Sequence, residues 1–159
     1  MTNNIKTIDD NEGLKLNIAG GEYRIIISGK ETNGAYAIIE MTVPIGAGPV
    51  PHSHSDFEET FFVLEGELTF KSENAIYTAQ KGATVSIPKG GIIHNFKNNS
   101  DKIAKLLCTV VPAGLDDFFV EVNELINNNQ DKDIDLKPSI QSISEKYGQK
   151  LYSSNFWDL

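Results

Sequence analysis

The first 112 residues of this chain divide into short runs of β-branched and aromatic residues, separated by glycine, asparagine and other turn-forming residues. These runs lie at 14–18, 22–28, 36–43, 59–65, 67–72, 75–79, 83–88, 92–98 and 103–111. No helical periodicity appears before residue 113. Many short strands at close spacing indicate an all-β fold, either a sandwich or a barrel.

The pattern becomes helical in the last third of the chain. Residues 114–126 (GLDDFFVEVNELI) carry apolar residues at helical spacing, and Asp116 and Asp117 favour the first turn of a helix. The apolar positions are Leu115, Phe118, Phe119, Val122, Leu125 and Ile126. Residues 139–148 predict a second short helix that Gly148 ends. Both helices are expected to pack on the sheet.

These patterns predict two parts of one compact unit. Residues 1–112 are expected to form the β domain, which begins with a loose or strand-pairing arm at 1–13, and residues 113–159 a helical extension packed on it. The aromatic tail LYSSNFWDL, at 151–159, is expected to cover an apolar surface or an oligomer seam.

Charge and composition exclude several classes of partner. The net charge of −8 argues against a nucleic-acid-binding or anionic-membrane surface. The single cysteine, Cys108, excludes an internal disulfide and is expected to be a small buried hydrophobe. Neither a signal peptide nor a membrane span is visible, so we expect a soluble cytoplasmic protein. The arm and the aromatic residues predict a homodimer.

The chain has three histidines, and two of them lie in the segment PHSHSDFEETFFVLEG at 51–66. In a strand His52 and His54 point to the same face, so both imidazoles can bind one metal ion. Glu58 or Glu59 can supply a carboxylate. The turn-like SDF between the histidines and these glutamates resets strand parity, so local periodicity does not choose between the two.

The same segment resembles the first motif of the cupin superfamily, which is Gly, five residues, His-x-His, three or four residues, Glu, six residues and Gly. Gly46, His52, His54, Glu59 and Gly66 match it in this chain. The resemblance therefore selects Glu59 as the metal ligand. It takes Gly66 as the turn glycine between two strands, and VLEGELTF looks like a hairpin.

A second resemblance lies at residues 82–98. The family motif is Gly, five residues, Pro-x-Gly, two residues, His, three residues and Asn, and Gly82, Pro88, Gly90, His94 and Asn98 follow it. His94 comes one residue late, an addition that a glycine turn can absorb. The resemblance implies a cupin jelly-roll barrel. VVPAGLDDFF and KYG are similar to single-domain, quercetinase-like dioxygenases.

Three neutral imidazoles and one carboxylate suit one divalent transition metal per chain, such as Fe, Mn, Ni, Co, Cu or Zn. Four protein ligands leave open positions on an octahedral ion. The resemblance implies that His52, His54, Glu59 and His94 form this set, and that Glu59 also acts as a catalytic base.

Alternation along the strands suggests the walls of a substrate pocket. Phe61 and Val63 share the face of Glu59, and Phe96 shares the face of His94. Such residues suit a planar or apolar small molecule, and they serve equally well as barrel core. Asp56 and Glu58 either hydrogen-bond a ligating imidazole or lie in solvent.

Three functions fit these residues. The first is a metal-dependent dioxygenase that acts on a small enol or phenol, as in the quercetinase-like proteins that the chain resembles. The second is a metal-dependent isomerase or lyase of a sugar or oxo-acid, in which the ion acts only as a Lewis acid. The third is a non-catalytic small-molecule-binding protein.

Overall fold

A computed structural model describes residues 4–18 and 20–158 of the chain. Its strands are β1 (Leu14–Ile18), β2 (Gly21–Ile27), β3 (Ala37–Val43), β4 (His52–His54), β5 (Glu58–Glu65), β6 (Glu67–Ser72), β7 (Ile76–Gln80), β8 (Thr84–Ile87), β9 (His94–Lys97), β10 (Ala104–Val111) and β11 (Gln149–Leu151). Its helices are α1 (Leu115–Asn128), α2 (Lys137–Lys146) and a short 3-10 helix at Phe156–Asp158.

The strands form two antiparallel sheets that face each other. Among the described residues, one sheet has six strands in the order β1-β2-β3-β10-β5-β8, and the other has five in the order β11-β4-β9-β6-β7. The prediction of an all-β fold with two C-terminal helices is confirmed, and the strand boundaries agree with the predicted runs to within about two residues.

The core lies between the two sheets because side chains alternate along each strand. In β3, for example, Ala37, Ile39 and Met41 point inward and are buried, while the residues between them are partly exposed. Cys108 is fully buried in β10, which confirms the prediction that it serves as a small core residue. This packed interior is where the functional side chains are found.

The predicted hairpin across Gly66 is wrong. β5 belongs to the six-stranded sheet and β6 to the five-stranded sheet, so the two strands do not pair with each other. Gly66 has φ 73° and marks the corner at which the chain crosses between sheets. A Cβ at this position would lie 3.0 Å from backbone atoms of Ile103 and Ala104, so a side chain here would be tightly crowded. A glycine between two alternating runs looks the same in either arrangement.

The C-terminal segments pack on the strands of the barrel. α1 packs against β1 and β3, and its residues Leu115, Phe118, Phe119 and Val122 are buried, as their spacing predicted. After α2, the chain returns to the five-stranded sheet as β11, which pairs with β4. The sequence did not predict β11, because three residues give too short a pattern. In the tail, the Trp157 indole donates a hydrogen bond to Asn95 at 2.9 Å; Leu159 lies outside the described residues.

The predicted boundary near residue 112 falls between β10 and α1. The division into a β domain and an extension stays a prediction, since residues of α1 belong to the same hydrophobic cluster as the strands. Arg24 ties the described part of the N-terminal arm to the sheet, donating hydrogen bonds to the carbonyl oxygens of Asp9 and Glu12 at 3.2 and 2.8 Å. The first three residues of the predicted arm lie outside the described residues. Neither α1 nor α2 has the length and apolar character that a membrane-spanning helix requires.

Candidate metal centre

Four side chains from three strands meet in the interior of the barrel. His52 and His54 lie on β4, and His94 lies on β9, where it is the register partner of His52. Glu59 lies on β5, in the opposite sheet. All four residues are buried, and their potential ligand atoms lie within 4.8 Å of one another. The carboxylate thus approaches the three imidazoles from across the core.

Backbone carbonyl groups hold all three imidazole rings in one orientation. Each Nδ1 lies 2.9 Å from a carbonyl oxygen, which is that of Val50 for His52, Phe57 for His54 and Ile92 for His94. A carbonyl oxygen only accepts, so each Nδ1 carries a proton and donates it. The lone pair of a neutral imidazole is then on Nε2. Such carbonyl contacts fix the tautomer of metal-binding histidines.

The contacts of Glu59 call for a positive charge at the centre. Glu59 Oε2 lies 2.8 Å from His54 Nε2 and 3.5 Å from His94 Nε2. Lone pairs at 2.8 Å repel each other unless a proton or a cation lies between them. His94 Nε2 is buried and has no hydrogen-bond partner among the described residues. A buried polar atom without a partner destabilises the fold, so this nitrogen is expected to bind a proton donor or a cation.

The electrostatics keep His52 and Glu59 in the state that metal binding needs. Burial lowers the pKa of His52 to about 4, and the nearby His94 adds to this effect. Burial alone would raise the pKa of Glu59, but the imidazoles of His54 and His94 outweigh it and lower that pKa to about 2. At neutral pH His52 is therefore neutral and Glu59 is an anion. Both are the forms that ligate metals.

These observations fit a divalent transition ion. Three nitrogen donors and one carboxylate at mutual distances of this size can all reach a single ion, since metal–nitrogen and metal–oxygen bonds are about 2.0–2.2 Å long. The buried His/His/Glu/His cluster brings together the four residues that the two sequence motifs singled out as metal ligands. The donor set does not distinguish among the six metals considered above.

The neighbouring acidic side chains point away from the centre. Glu58 and Asp56 are exposed, and Asp56 accepts a hydrogen bond from the Ser55 hydroxyl at 3.2 Å. Because carbonyl groups already occupy the three Nδ1 atoms, neither acid hydrogen-bonds an imidazole.

The extra residue before His94 is accommodated in a glycine turn. Gly90 and Gly91 have φ values of 115° and 84°, which favour glycine. Their backbone N–H groups donate hydrogen bonds of 3.2 Å to the carbonyl oxygens of Ser55 and His54. The turn therefore packs against the end of β4, and the ring of His94 still lies 4.9 Å from that of His54.

A cavity of about 350 Å³ opens beside His52 and Glu59. Its walls are largely apolar, and the polar side chains that line it are Tyr23, His52, Glu59 and Gln149. The barrel strands and the loop before β4 supply one part of the wall, including Met41, Phe61 and Phe96. The C-terminal segments supply the other part, through Leu115, Phe118, Phe119, Val122, Ile126, Ile140 and Leu151.

The structure places two of the three predicted pocket residues at the cavity and the third in the core. Phe61 and Phe96 line the cavity, with their ring centroids 5.5 Å apart. Val63 is fully buried in the core cluster and is not among the described residues that line this cavity. Sequence reasoning assigned the regularly spaced apolar residues of α1 to packing alone. Their spacing carries no sign that the same residues also face a cavity.

Sequence reasoning did not place Tyr23 or Cys108 near Glu59, where the structure brings both. The thiol of Cys108 lies 3.9 Å from Glu59 Oε1, and burial together with this carboxylate raises the pKa of the thiol. Tyr23 packs edge-on against Phe119, with centroids 5.0 Å apart, and burial raises its pKa far above the ordinary value for tyrosine. Both residues look like ordinary strand residues in the sequence.

Two facing antiparallel sheets around a buried His/His/Glu/His cluster define a barrel of the jelly-roll class with a metal-type centre. Residues 39–110 match the family described as Cupin domain. This chain therefore carries a cupin domain, which confirms the resemblance seen in its two motifs. The matched residues include all four side chains of the centre.

Two curated proteins are similar to the chain over part of its length. Quercetin 2,3-dioxygenase of Bacillus subtilis (strain 168) is 26% identical over 112 residues, which are 70% of this chain and 33% of that protein. An uncharacterized protein of Methanocaldococcus jannaschii is 30% identical over 76 residues, which are 48% of this chain and 60% of that protein. The chain thus spans about a third and three fifths of the lengths of these relatives.

The fold is also that of solved structures. The polyketide cyclase RemF from Streptomyces resistomycificus has a TM-score of 0.59 and 18% sequence identity, over 67% of this chain and 79% of that one. At this level of identity the likeness concerns the fold alone.

Proposed function

We propose that this protein is a metal-dependent oxidoreductase of the dioxygenase type, which acts on a small enol-like or phenol-like substrate. The observation that supports this proposal most strongly is a buried four-donor cluster that borders a largely apolar cavity. The similarity to a quercetin 2,3-dioxygenase supports the same reaction class. In this proposal His52, His54, Glu59 and His94 bind one divalent transition ion.

When bound, such an ion supplies Lewis acidity and, if it is redox-active, an electron path between substrate and dioxygen. The chain's own residues do the remaining work. The three imidazoles hold their Nε2 atoms toward the centre because backbone carbonyl groups fix the rings. In our proposal Glu59, which lines the cavity, takes the proton of a substrate hydroxyl group as the substrate binds.

The walls favour a planar, mostly apolar molecule. Phe61 and Phe96 line the cavity beside the centre, and α1 adds further aromatic side chains to its wall. A sugar would bring many hydroxyl groups, whereas only four of the described side chains that line the cavity are polar. Burying unpaired hydroxyl groups is costly, so the cavity fits a phenol or enol better than a sugar.

Metal analysis and oxygen uptake test this proposal together. We would quantify the metal in untagged protein, reload metal-free protein with Mn, Fe, Co, Ni, Cu or Zn, and record oxygen consumption with quercetin, catechol and acetylacetone. We expect uptake with at least one redox-active ion and none with zinc. A His94→Ala variant in the same metal solutions controls for oxidation by free metal.

The outcomes separate the competing functions. Metal-loaded protein that consumes no oxygen with any of these substrates would contradict the dioxygenase proposal. Turnover of a sugar or oxo-acid without oxygen by the zinc-loaded protein would instead support an isomerase or lyase. Binding without any turnover would support a non-catalytic binding protein.

We also propose that the protein is a cytoplasmic homodimer. Exposed aromatic side chains on the sheets, such as Phe62 and Tyr77, support a contact between copies. A monomer mass in light scattering would contradict the dimer.

A further inference from the structure

Gln149 carries a buried side-chain amide nitrogen to which no other described residue is hydrogen-bonded. The residue is 6% exposed, and its side-chain Nε2 has no hydrogen-bond partner among the described residues. The same residue lines the cavity beside the candidate metal centre. An unpaired buried amide destabilises a fold, so such a group is expected to have a partner that the protein chain does not supply.

The backbone around Gln149 fixes this amide relative to the centre. Gln149 is the first residue of β11 and is the register partner of His54 in β4. Two residues further along the same ladder, Leu151 pairs with His52. Ladder pairing with the strand that carries both histidines places Gln149 beside them in the sheet. A group held in this way is ready for a ligand before the ligand arrives.

The other side chains that line the cavity indicate which class of ligand it can bind. Away from the centre, the polar side chains that line the cavity are those of Tyr23 and Gln149. Tyr23 is 4% exposed, and its side chain ends in a hydroxyl group. Both groups can donate a hydrogen bond. They face a space bounded mainly by aromatic and aliphatic side chains.

We propose that Gln149 is a positioning residue, whose amide donates a hydrogen bond to an acceptor oxygen of the ligand in this cavity. This inference rests on the proposed function, because it places the ligand in the same site. The ligand class is a small, mainly apolar molecule with one oxygen function toward the metal centre and a second acceptor oxygen toward β11. Gln149 lies outside residues 39–110, so this contact comes from the C-terminal segment and not from the matched cupin domain.

Binding to zinc-loaded protein tests the proposal without catalysis. We would titrate wild type and Gln149→Met with quercetin, catechol and acetylacetone, and follow the absorption of the probe. Methionine matches glutamine in length but cannot donate a hydrogen bond. We expect affinity for the best-bound probe to fall about tenfold, with zinc stoichiometry unchanged. Gln130→Met, at an exposed position in the loop before α2, is the matched control and should leave affinity unchanged.

Thermal unfolding of the ligand-free proteins separates positioning from a structural role. Because the wild-type amide is buried without a partner, Gln149→Met should keep the unfolding midpoint or raise it by about 2 to 4 °C. A midpoint several degrees lower with unchanged probe affinity would assign Gln149 a structural role and overturn the proposal. So would a wild-type protein that binds none of the three probes.

A crystal structure of the zinc-loaded wild type with the best-bound probe gives a test that needs no variant. A probe oxygen within hydrogen-bond distance of the Gln149 amide supports the proposal, and an amide paired only with water overturns it. The proposed function fails separately. A protein that binds the probe through Gln149 but consumes no oxygen with any redox-active metal would retain the positioning role and lose the dioxygenase assignment.

Discussion

At the scale of single residues, Glu58 and Glu59 are chemically identical neighbours that lie in opposite environments. Glu58 is exposed on β5, whereas Glu59 is 3% exposed and faces three imidazoles across the core. The alternation of side chains along a strand causes this difference. Replacement of either glutamate therefore changes the charge of the protein equally but changes the centre only in one case.

We predict that Glu59→Gln lowers the affinity for zinc or cobalt by at least about a hundredfold, because loss of the outer partners of metal ligands alone costs about 10- to 100-fold. Glu58→Gln should leave the affinity unchanged, since this side chain is exposed. Competition with a chromophoric chelator measures both. Equal losses in the two variants would show that net charge, and not ligation, controls binding.

The position of His94 also depends on a few single residues in the turn before its strand and just after it. Gly90 and Gly91 adopt positive φ values in succession, and they absorb the residue that the chain has beyond the usual motif spacing. The Asn98 side chain then donates hydrogen bonds to the carbonyl oxygens of Val43 and Lys102 at 3.0 and 2.7 Å. The strand that carries His94 is thus held at both ends.

At the scale of elements, α1 is fixed to the barrel by more than its apolar face. Asp116, at its first turn, is 1% exposed and accepts hydrogen bonds from the backbone N–H groups of Gly29 and Gly114 at 2.7 and 3.0 Å. The sequence suggested only a favourable charge near a helix N-terminus. The structure adds a link between the helix and the loop after β2.

We predict that Asp116→Ala lowers the free energy of unfolding by about 3 kcal/mol, because one buried and one partly buried backbone donor lose a charged acceptor. Asp117→Ala removes the same charge from the exposed neighbouring position and should cost less than about 1 kcal/mol. Urea denaturation followed by circular dichroism measures both values. A similar loss in the two variants would mean that the helix dipole is the main effect.

At the scale of the whole molecule, the centre joins the two sheets. The three histidines belong to the five-stranded sheet and Glu59 to the six-stranded sheet, so an ion at the centre would connect the halves of the barrel. The unfolded chain has no preformed set of four donors. Binding energy at this site therefore becomes folding energy.

We predict that saturation with zinc raises the midpoint of thermal unfolding by about 5 to 10 °C, given a free ion concentration about a hundredfold above the dissociation constant. Scanning calorimetry with zinc, and again after chelation, measures the shift. The shift should disappear in Glu59→Gln. A wild-type midpoint that does not respond to any of the divalent transition ions would contradict a metal site at this cluster.

Much of the fold could be predicted from local patterns, because strand alternation and helical spacing are local properties. The β runs, the two helices and the burial of Cys108 all follow from residues within a few positions of each other. The crossing at Gly66 could not be predicted in this way, since a corner between sheets and a hairpin need the same glycine. Strand β11 was missed because its stability comes from its pairing with β4.

The sequence by itself determined the donor chemistry: three histidines and a choice of two acids, which the spacing of a family motif resolved to Glu59. Only the tertiary structure decided that these side chains meet, because Glu59 and the histidines reach the centre from opposite sheets. It also decided that the apolar residues of α1 and Gln149 help to line a cavity beside the centre. Periodicity tells which face of an element is apolar, whereas the packing of distant elements determines whether that face fills the core or encloses a site.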